Sequence, residues 1–358
     1  MSGVDRFLEV LLEKGASDLH LSAGRPPLLR LHGSLVAISG EAPLSPADVE
    51  KLVDEIAPER MRQREGDESL ADLDFAHQMG SRGRFRVNVF RQQRGGGAVL
   101  RVIPTKIPTI AELGLPPTIE RFARLRHGLV LVTGPTGSGK STTLASIIHH
   151  INLERAAHIL TIEDPIEFVH ENRKSLVTQR EIGPHATSFA GALRVAIRQD
   201  PDVILVGEMR DLETISLALT AAETGALVFG TLHTNSAAKT VDRMIDVFPQ
   251  AEQEMARSLL ANCLRGILSQ QLVRTADGKG RACALEIAVC SFAVSNLIRE
   301  GKTFQISSAI QSGKAEGMQT LEQALADLVE KKRISKEAAF ATAINKDYLA
   351  SLIGAPPE

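Results

Sequence analysis

A glycine-rich segment that ends in a lysine and a serine carries the strongest chemical signal in the chain. Residues 134–141 read GPTGSGKS and match the pattern G-x-x-x-x-G-K-[ST] at every fixed position. Glycines let backbone N–H groups turn toward phosphate oxygens, Lys140 reaches the β- and γ-phosphates, and the Ser141 hydroxyl binds Mg²⁺. An apolar run precedes the segment and a helical pattern follows it, so the sequence predicts a nucleoside triphosphate site. The predicted nucleotide-binding residues are Gly134, Pro135, Thr136, Gly137, Ser138, Gly139, Lys140, Ser141 and Thr142.

A carboxylate follows a second apolar run. Residues 203–206 are Val-Ile-Leu-Val, and Glu208 stands two residues beyond them. Ligands of parallel sheets bind beyond the carboxyl ends of the strands. The pattern therefore indicates an acid that helps to hold Mg²⁺ through water, and Ser141 and Glu208 together form the predicted metal site.

Further titratable residues follow two more apolar runs. Glu163, Asp164 and Glu167 come after residues 159–162, and three neighbouring acids repel one another unless a cation or a function offsets the repulsion. One of them is suited to deprotonating an attacking water, although exposed surface acids fit the pattern equally well. His233 follows a fourth run and is placed to sense a γ-phosphate, but an isolated histidine at a strand end is more often structural.

The elements around these residues predict two domains. Residues 1–103 combine two amphipathic helical patterns with short alternating runs, which indicates an α+β domain on an antiparallel sheet. Four prolines between residues 104 and 117 predict a semi-rigid linker. Strands that alternate with helices over residues 118–290 predict a parallel sheet. The chain after residue 248 is expected to be mostly helical apart from a hairpin around Asp277-Gly278, with residues 291–358 as a helical C-terminal part.

Composition excludes several classes of protein. The 358 residues are 43% apolar and carry a formal net charge of −2, which excludes general disorder and argues against a protein that coats nucleic acid. There is no Trp and one Tyr, so aromatic platforms for stacking bases are scarce. Three cysteines without metal spacing indicate reduced thiols. With no apolar run long enough for a membrane helix, we expect a soluble, cytosolic protein.

Several ordered stretches make the chain resemble the PilT family, the type IV pilus retraction ATPases of the wider secretion ATPase superfamily. The similarity runs from Gly15 to about Ile334 and is far more specific than any single motif. The stretches that carry it are residues 16–21, 83–88, 134–141, 162–168, 207–211, 221–225 and 231–234.

The resemblance implies roles for individual residues. Glu167 matches the family's general base, with Glu163 in support, while Glu208 matches the Walker B glutamate and His233 the His box. Three arginines match those thought to clasp the phosphates of a nucleotide bound to a neighbouring domain. They are Arg84, Arg86 and Arg101.

The resemblance also implies a fold and an assembly. The fold would be a PAS-like α+β N-terminal domain joined to a RecA-like P-loop NTPase domain with a helical C-terminal extension. Six copies would form a ring that hydrolyses ATP with Mg²⁺, with the stretch from Pro104 as a hinge. The ring would work in the cytoplasm at the inner membrane face, on a platform protein and possibly with a paralogous retraction ATPase, and no nucleic acid partner is expected.

One position departs from the family. The retraction ATPases usually read AIRNLIRE in their C-terminal part, whereas residues 293–300 here read AVSNLIRE. Ser295 thus replaces an arginine and removes a positive charge and a fork of donors. The change fits either an accessory retraction paralogue or neutral drift on an exposed helix face.

Two further alternatives are less favoured. An assembly ATPase for pilus extension or type II secretion usually has a longer N-terminal region and a tetracysteine zinc element. Here the PAS-like domain is expected almost at the start of the sequence, and the three cysteines form no such cluster. A RecA-like nucleic-acid translocase predicts a basic channel and aromatic contacts, which the composition does not favour.

Overall fold

The computed structural model describes residues 3–31, 33–58, 73–80, 82–103 and 106–355, and the chain divides into two compact units. The first unit comprises Met1–Lys106 and Pro165–Val169, and the second comprises Ile107–Asp164 and His170–Glu358. Within the described residues, no helix is both long and apolar enough to cross a bilayer.

The first unit is built on an antiparallel six-stranded sheet with the order β3-β2-β1-β6-β5-β4. Helix α1 buries Phe7, Leu8 and Leu11 in the core of this unit, as its helical spacing predicts. Helix α2 begins after a capping box in which Ser45 and Asp48 bond to each other's backbone. The predicted antiparallel α+β arrangement is thus present. Its elements are α1 (Asp5–Glu13), β1 (Asp18–Ser22), β2 (Leu28–Leu31), β3 (Ser34–Ala37), α2 (Pro46–Asp54), β4 (Leu73–Met79), β5 (Gly83–Gln92) and β6 (Gly95–Ile103).

The second unit is built on a seven-stranded sheet with the order β13-β12-β7-β11-β10-β8-β9. Every neighbouring pair is parallel except β12 and β13. Its elements are α3 (Thr118–Ala123), β7 (Gly128–Thr133), α4 (Lys140–Glu154), β8 (His158–Glu163), β9 (Leu176–Glu181), α5 (Phe189–Ala196), β10 (Val203–Val206), α6 (Leu212–Glu223), β11 (Leu227–Leu232), α7 (Ala237–Asp246), α8 (Gln253–Cys263), β12 (Leu264–Arg274), β13 (Arg281–Val289), α9 (Phe292–Arg299), α10 (Ile306–Ser312), α11 (Leu321–Glu330), α12 (Lys336–Thr342) and α13 (Lys346–Ile353).

The hairpin around Asp277-Gly278 is confirmed, but the prediction of mostly helical structure after residue 248 is wrong in extent. Strands β12 and β13 are 11 and 9 residues long, and β12 continues the parallel sheet beside β7. Every residue of β12 from Gly266 to Gln270 is buried, so this part of the strand lacks the alternation that identifies a half-exposed one. Strand β9, at the opposite edge, was not predicted either.

The proline-rich stretch continues into the second unit, which begins at Ile107. Ile110 and Leu115 are buried in a core cluster of that unit, and the N–H of Leu115 donates to the carbonyl of Ile110. This half of the stretch is therefore packed structure, and its action as a linker or hinge stays a prediction.

The C-terminal helices follow β13 as predicted. Helix α11 begins with a capping box formed by Thr320 and Gln323, and the Gln323 amide also donates to the Tyr348 hydroxyl of α13 over 3.2 Å. Ser295 lies on α9 with its hydroxyl 3.3 Å from the Cys290 thiol. Ser295 is half-buried, so the prediction of an exposed helix face at this position is wrong, while the choice between neutral drift and an accessory paralogue stays a prediction.

Candidate nucleotide-binding site

The glycine-rich loop leads from the buried strand β7 into helix α4, as predicted. Gly134, Gly137 and Gly139 all have positive φ angles, of 144°, 79° and 88°. A Cβ atom at Gly134 would lie 2.3 Å from the carbonyl oxygen of Gln270, and one at Gly139 would lie 2.8 Å from the Gln270 side-chain nitrogen. Both conformation and space therefore require glycine at these two positions.

The Lys140 ammonium and the N-terminus of α4 favour the binding of an anion at the loop. The Lys140 ammonium donates to the carbonyls of Gly134 and Pro135 over 2.8 and 3.1 Å, so it lies folded over the loop. Helix α4 begins at Lys140 and has no acidic residue in its first turn, where Ser141 is exposed and Thr142 half-buried. Unpaired N–H groups and the positive end of the helix dipole stabilise a phosphate at such a terminus.

Strand β12 holds the loop from behind, which sequence reasoning missed. The buried Gln270 side chain donates to the carbonyl of Ser138 over 2.6 Å and accepts from the Thr143 hydroxyl over 2.8 Å. One residue earlier, Ser269 accepts from the hydroxyl of Thr133, the last residue of β7. These contacts join residues more than 125 positions apart in the chain, and no local motif marks them.

Glu208 and His233 lie together beyond neighbouring strands. Their closest atoms, Glu208 Oε1 and His233 Nε2, are 2.9 Å apart, and the Arg210 guanidinium also donates to Oε1. The hydrogen bond and charge of Glu208 raise the pKa of Arg210. The Glu208 carboxylate is largely shielded, with 19% of its side chain exposed.

Glu163 ends strand β8, and its carboxylate is fixed by its neighbours. It accepts from the Thr161 hydroxyl over 2.7 Å and from the Gln179 amide over 3.1 Å. Strand β8 lies beside β10, β10 beside β11, and β11 beside β7. The parallel strands thus bring Glu163, Glu208, His233 and the glycine-rich loop together at the carboxyl end of the sheet.

The three arginines lie on the sheet of the first unit. Arg84 and Arg86 are on β5, and Arg86 faces Arg101 of β6 in the strand register. Arg86 lies 4.0 Å from the carboxylate of Glu167, which belongs to the same unit. The general-base role of Glu167 and the phosphate contacts of these arginines stay predictions.

Arg101 has a buried acidic partner. Its Nε donates to the Asp18 carboxylate over 2.7 Å. Burial raises the pKa of Asp18, but hydrogen bonds from Ser17 and Arg101 outweigh it and leave the pKa below its usual value. The carboxylate therefore stays ionised and holds Arg101 in place.

The donor set fits the predicted magnesium ion. Ser141 and Glu208 offer a hydroxyl and a carboxylate, the hard oxygen ligands that Mg²⁺ prefers. In the part of the chain that the structure describes, no three His, Cys, Asp or Glu side chains are grouped as a metal cage. One or two protein oxygens completed by phosphates and water is the usual arrangement for Mg²⁺ at a nucleotide.

Comparisons with known proteins agree with this geometry. Residues 71–340 match the family model described as Type II/IV secretion system protein. The chain is 52% identical to the type IV pilus retraction ATPase PilT of Pseudomonas aeruginosa, over 94% of this chain and 96% of that protein. It is 38% identical to the type IV pilus ATPase PilU of the same organism, over 98% and 91% of the two chains.

A solved structure agrees as well. The crystal structure of the pilus retraction motor PilT with bound ADP superimposes with a TM-score of 0.90 at 44% identity, covering 98% of this chain and 99% of that one. The resemblance drawn from the motifs is confirmed, and so is the mixed α/β fold with an N-terminal domain and a RecA-like domain.

Proposed function

This chain belongs to the type II/IV secretion system protein family, and on that premise we propose that its hydrolysis of ATP powers retraction of a type IV pilus. One observation carries the proposal: the glycine-rich loop, Glu208 and His233 meet at one sheet edge in a chain 52% identical to a retraction ATPase along nearly its whole length.

The loop would bind the triphosphate through its backbone N–H groups and Lys140. The Lys140 ammonium would exchange its two carbonyl partners for phosphate oxygens, which are stronger acceptors because they are charged. Ser141 and Glu208 would hold Mg²⁺, whose charge neutralises the phosphates.

Glu167, supported by Glu163, would accept a proton from the water that attacks the γ-phosphorus, and ADP would leave as the bond to its β-phosphate oxygen breaks. His233 would contact the γ-phosphate and relay its presence to Glu208, with which it is already in contact. An exposed imidazole 2.9 Å from the Glu208 carboxylate supports this role.

We further propose a ring of six copies. In it, Arg84, Arg86 and Arg101 of one protomer would stabilise charge on a nucleotide bound by a neighbour. The stretch over residues 104–117, between the domain of residues 1–103 and the core of residues 118–290, would act as the hinge. The ring would act at the cytoplasmic face of the inner membrane on a pilus platform protein, with a paralogous retraction ATPase as a further partner.

Two related roles compete with a main retraction motor. An accessory paralogue is one, and the higher identity to PilT than to PilU, 52% against 38%, favours the motor. An assembly or secretion ATPase is the other, and full-length similarity to PilT argues against it.

Complementation in the source organism tests the proposal. After deletion of the native gene, wild type, Glu208→Gln and Glu167→Gln are returned, and surface pili and twitching spread are scored. We expect wild type to restore spreading and both variants to leave cells over-piliated and immobile. Glu171→Gln is the matched control, because its side chain is 75% exposed and pairs only with nearby Arg173 among the described ion pairs.

Other outcomes would reject the proposal in different ways. A deletion that leaves spreading intact would indicate an accessory paralogue. A deletion that removes pili altogether would indicate an assembly ATPase.

A further inference from the structure

A buried carboxylate outside the nucleotide site contacts the segment that follows His233. Glu286 lies on β13 and is 7% exposed. Its Oε1 accepts from the backbone N–H of Ala237 over 2.6 Å. Ala237 is the first residue of α7, and residues 233–236 connect it to β11. The loop that carries His233 is thus fixed at its far end by Glu286.

The strand register places Glu286 in line with the nucleotide loop. Ser269 of β12 pairs with Glu286 on one side and with Thr133 on the other, and Thr133 pairs with Leu232 of β11. His233 follows Leu232 directly, and Gly134 follows Thr133 directly. One row of paired residues across four strands therefore connects Glu286 to the residues that precede the glycine-rich loop and the loop of His233.

The same carboxylate also faces the C-terminal helices. Segment 318–320 is hydrogen-bonded to β13 beside Glu286, since Ile287 and Gln319 exchange two backbone bonds. Helix α11 brings a second carboxylate, Glu322, which is 6% exposed and accepts from the N–H groups of Ile344 and Asn345. The charge of this second buried acid acts on Glu286 from the C-terminal helices.

We propose that Glu286 is a positioning residue that sets the placement of His233 through Ala237, and that Glu322 tunes its charge from the C-terminal helices. A charged acceptor makes a stronger hydrogen bond than a neutral one, and a negative charge is favoured at the N-terminus of α7. The ionised form of Glu286 therefore holds the loop more firmly than the protonated form. This inference rests on the proposed ATP hydrolysis.

The surroundings of Glu286 shift the pKa of its carboxyl group toward physiological pH. The pKa of Glu286 is raised to about 7, because burial and, to a smaller extent, the charge of Glu322 raise it by more than the Ala237 N–H lowers it. The other neighbouring elements bring no buried charge to Glu286. The residue opposite it on β12 is the neutral Ser269, and α10 has no charged residue. The charged residues of α7 are all exposed. Among the described residues, Glu322 is thus the charged group that acts on Glu286.

The sign of the pH effect follows from this pKa. Folding raises the pKa of Glu286, so its ionised form costs stability, and that cost grows as the pH rises toward about 7. Glu286→Gln, which has no charge to bury, is therefore expected to be at least as stable as wild type at alkaline pH. Chemical denaturation of the variant at the same pH tests this expectation, so that a loss of turnover can be separated from unfolding.

The experiment measures kcat, KM and ADP affinity of the full-length chain across the range from about pH 6 to about pH 8. We expect wild-type kcat to rise through about pH 7 as Glu286 ionises. Glu286→Gln should lack this rise and stay lower by about fivefold at alkaline pH, the difference between a charged and a neutral hydrogen bond, with ADP affinity unchanged. Glu322→Gln should keep the rise but move its midpoint to lower pH.

Glu330→Gln, which removes an exposed carboxylate from the same helix as Glu322, is the matched control and should leave the profile unmoved. The inference is overturned if Glu286→Gln keeps the wild-type profile, or if Glu322→Gln leaves the midpoint in place. Absence of ATP hydrolysis by wild type would instead reject the proposed function, so the two failures are distinguishable.

Discussion

Lys140 is the residue whose partners must change most when a nucleotide binds. Its ammonium now donates to two carbonyls of its own loop, and phosphate oxygens would replace them. Lys140→Ala removes bonds to charged acceptors worth about 1.5–3 kcal/mol each. We therefore expect ADP affinity to fall by roughly 10- to 100-fold and hydrolysis to be lost.

Isothermal titration of purified protein with ADP measures this loss. Lys174→Ala is the control, because Lys174 is exposed and lies outside the loop. Wild-type affinity in Lys140→Ala would contradict the assignment of the loop as the nucleotide site.

The sequence could predict the roles of residues that belong to one short motif. Gly134, Lys140 and Ser141 stand in one short pattern, and the structure places them as that pattern requires. Gln270 and Glu286 could not be predicted, because each acquires its partner only when distant strands meet. The partner of Arg101 could not be predicted either, since its bond to Asp18 joins positions 83 residues apart.

Strand β12 lies beside β7 and contacts the nucleotide loop through Gln270. Gln270→Leu would remove the acceptor of the Thr143 hydroxyl and the donor to the Ser138 carbonyl, both in the buried region behind the loop. Each buried polar group left unpaired costs about 1–3 kcal/mol. We expect a lower free energy of unfolding by that order and weaker ADP binding.

Chemical denaturation and ADP titration of the variant measure both effects. Gln271→Leu is the matched control, since the adjacent side chain is only half-buried and points to the other face of the strand. Equal losses in the two variants would show that Gln270 has no special role at the loop.

The elements that could be predicted are those with clear periodicity or end signals. Helix α1 repeats its apolar residues at helical spacing, and α2 begins with Ser45-Pro46. Strands β12 and β13 were underestimated because burial on both faces removes the alternation that marks a strand. Which strand adds to which edge of the sheet depends on contacts that no single segment contains.

The overall charge balance of the chain distinguishes a pilus motor from a nucleic-acid translocase. The formal net charge is −2 and the chain has no Trp, whereas binding to single strands depends on basic grooves and stacking aromatics. We expect no retention on immobilised single-stranded DNA at moderate salt and no stimulation of ATP hydrolysis by DNA.

A column assay at two salt concentrations and a hydrolysis assay with added DNA check this. Retention that weakens steeply as salt rises would favour the translocase instead.

The contact between Gln323 and Tyr348 has a consequence for spectroscopy. With no Trp and a single Tyr among 358 residues, nearly all of the near-ultraviolet emission of this chain arises from one phenol on α13. That phenol accepts a hydrogen bond from the helix that carries Glu322. The chain therefore contains its own fluorophore at the joint between the C-terminal helices, and its emission reports on that joint without any label.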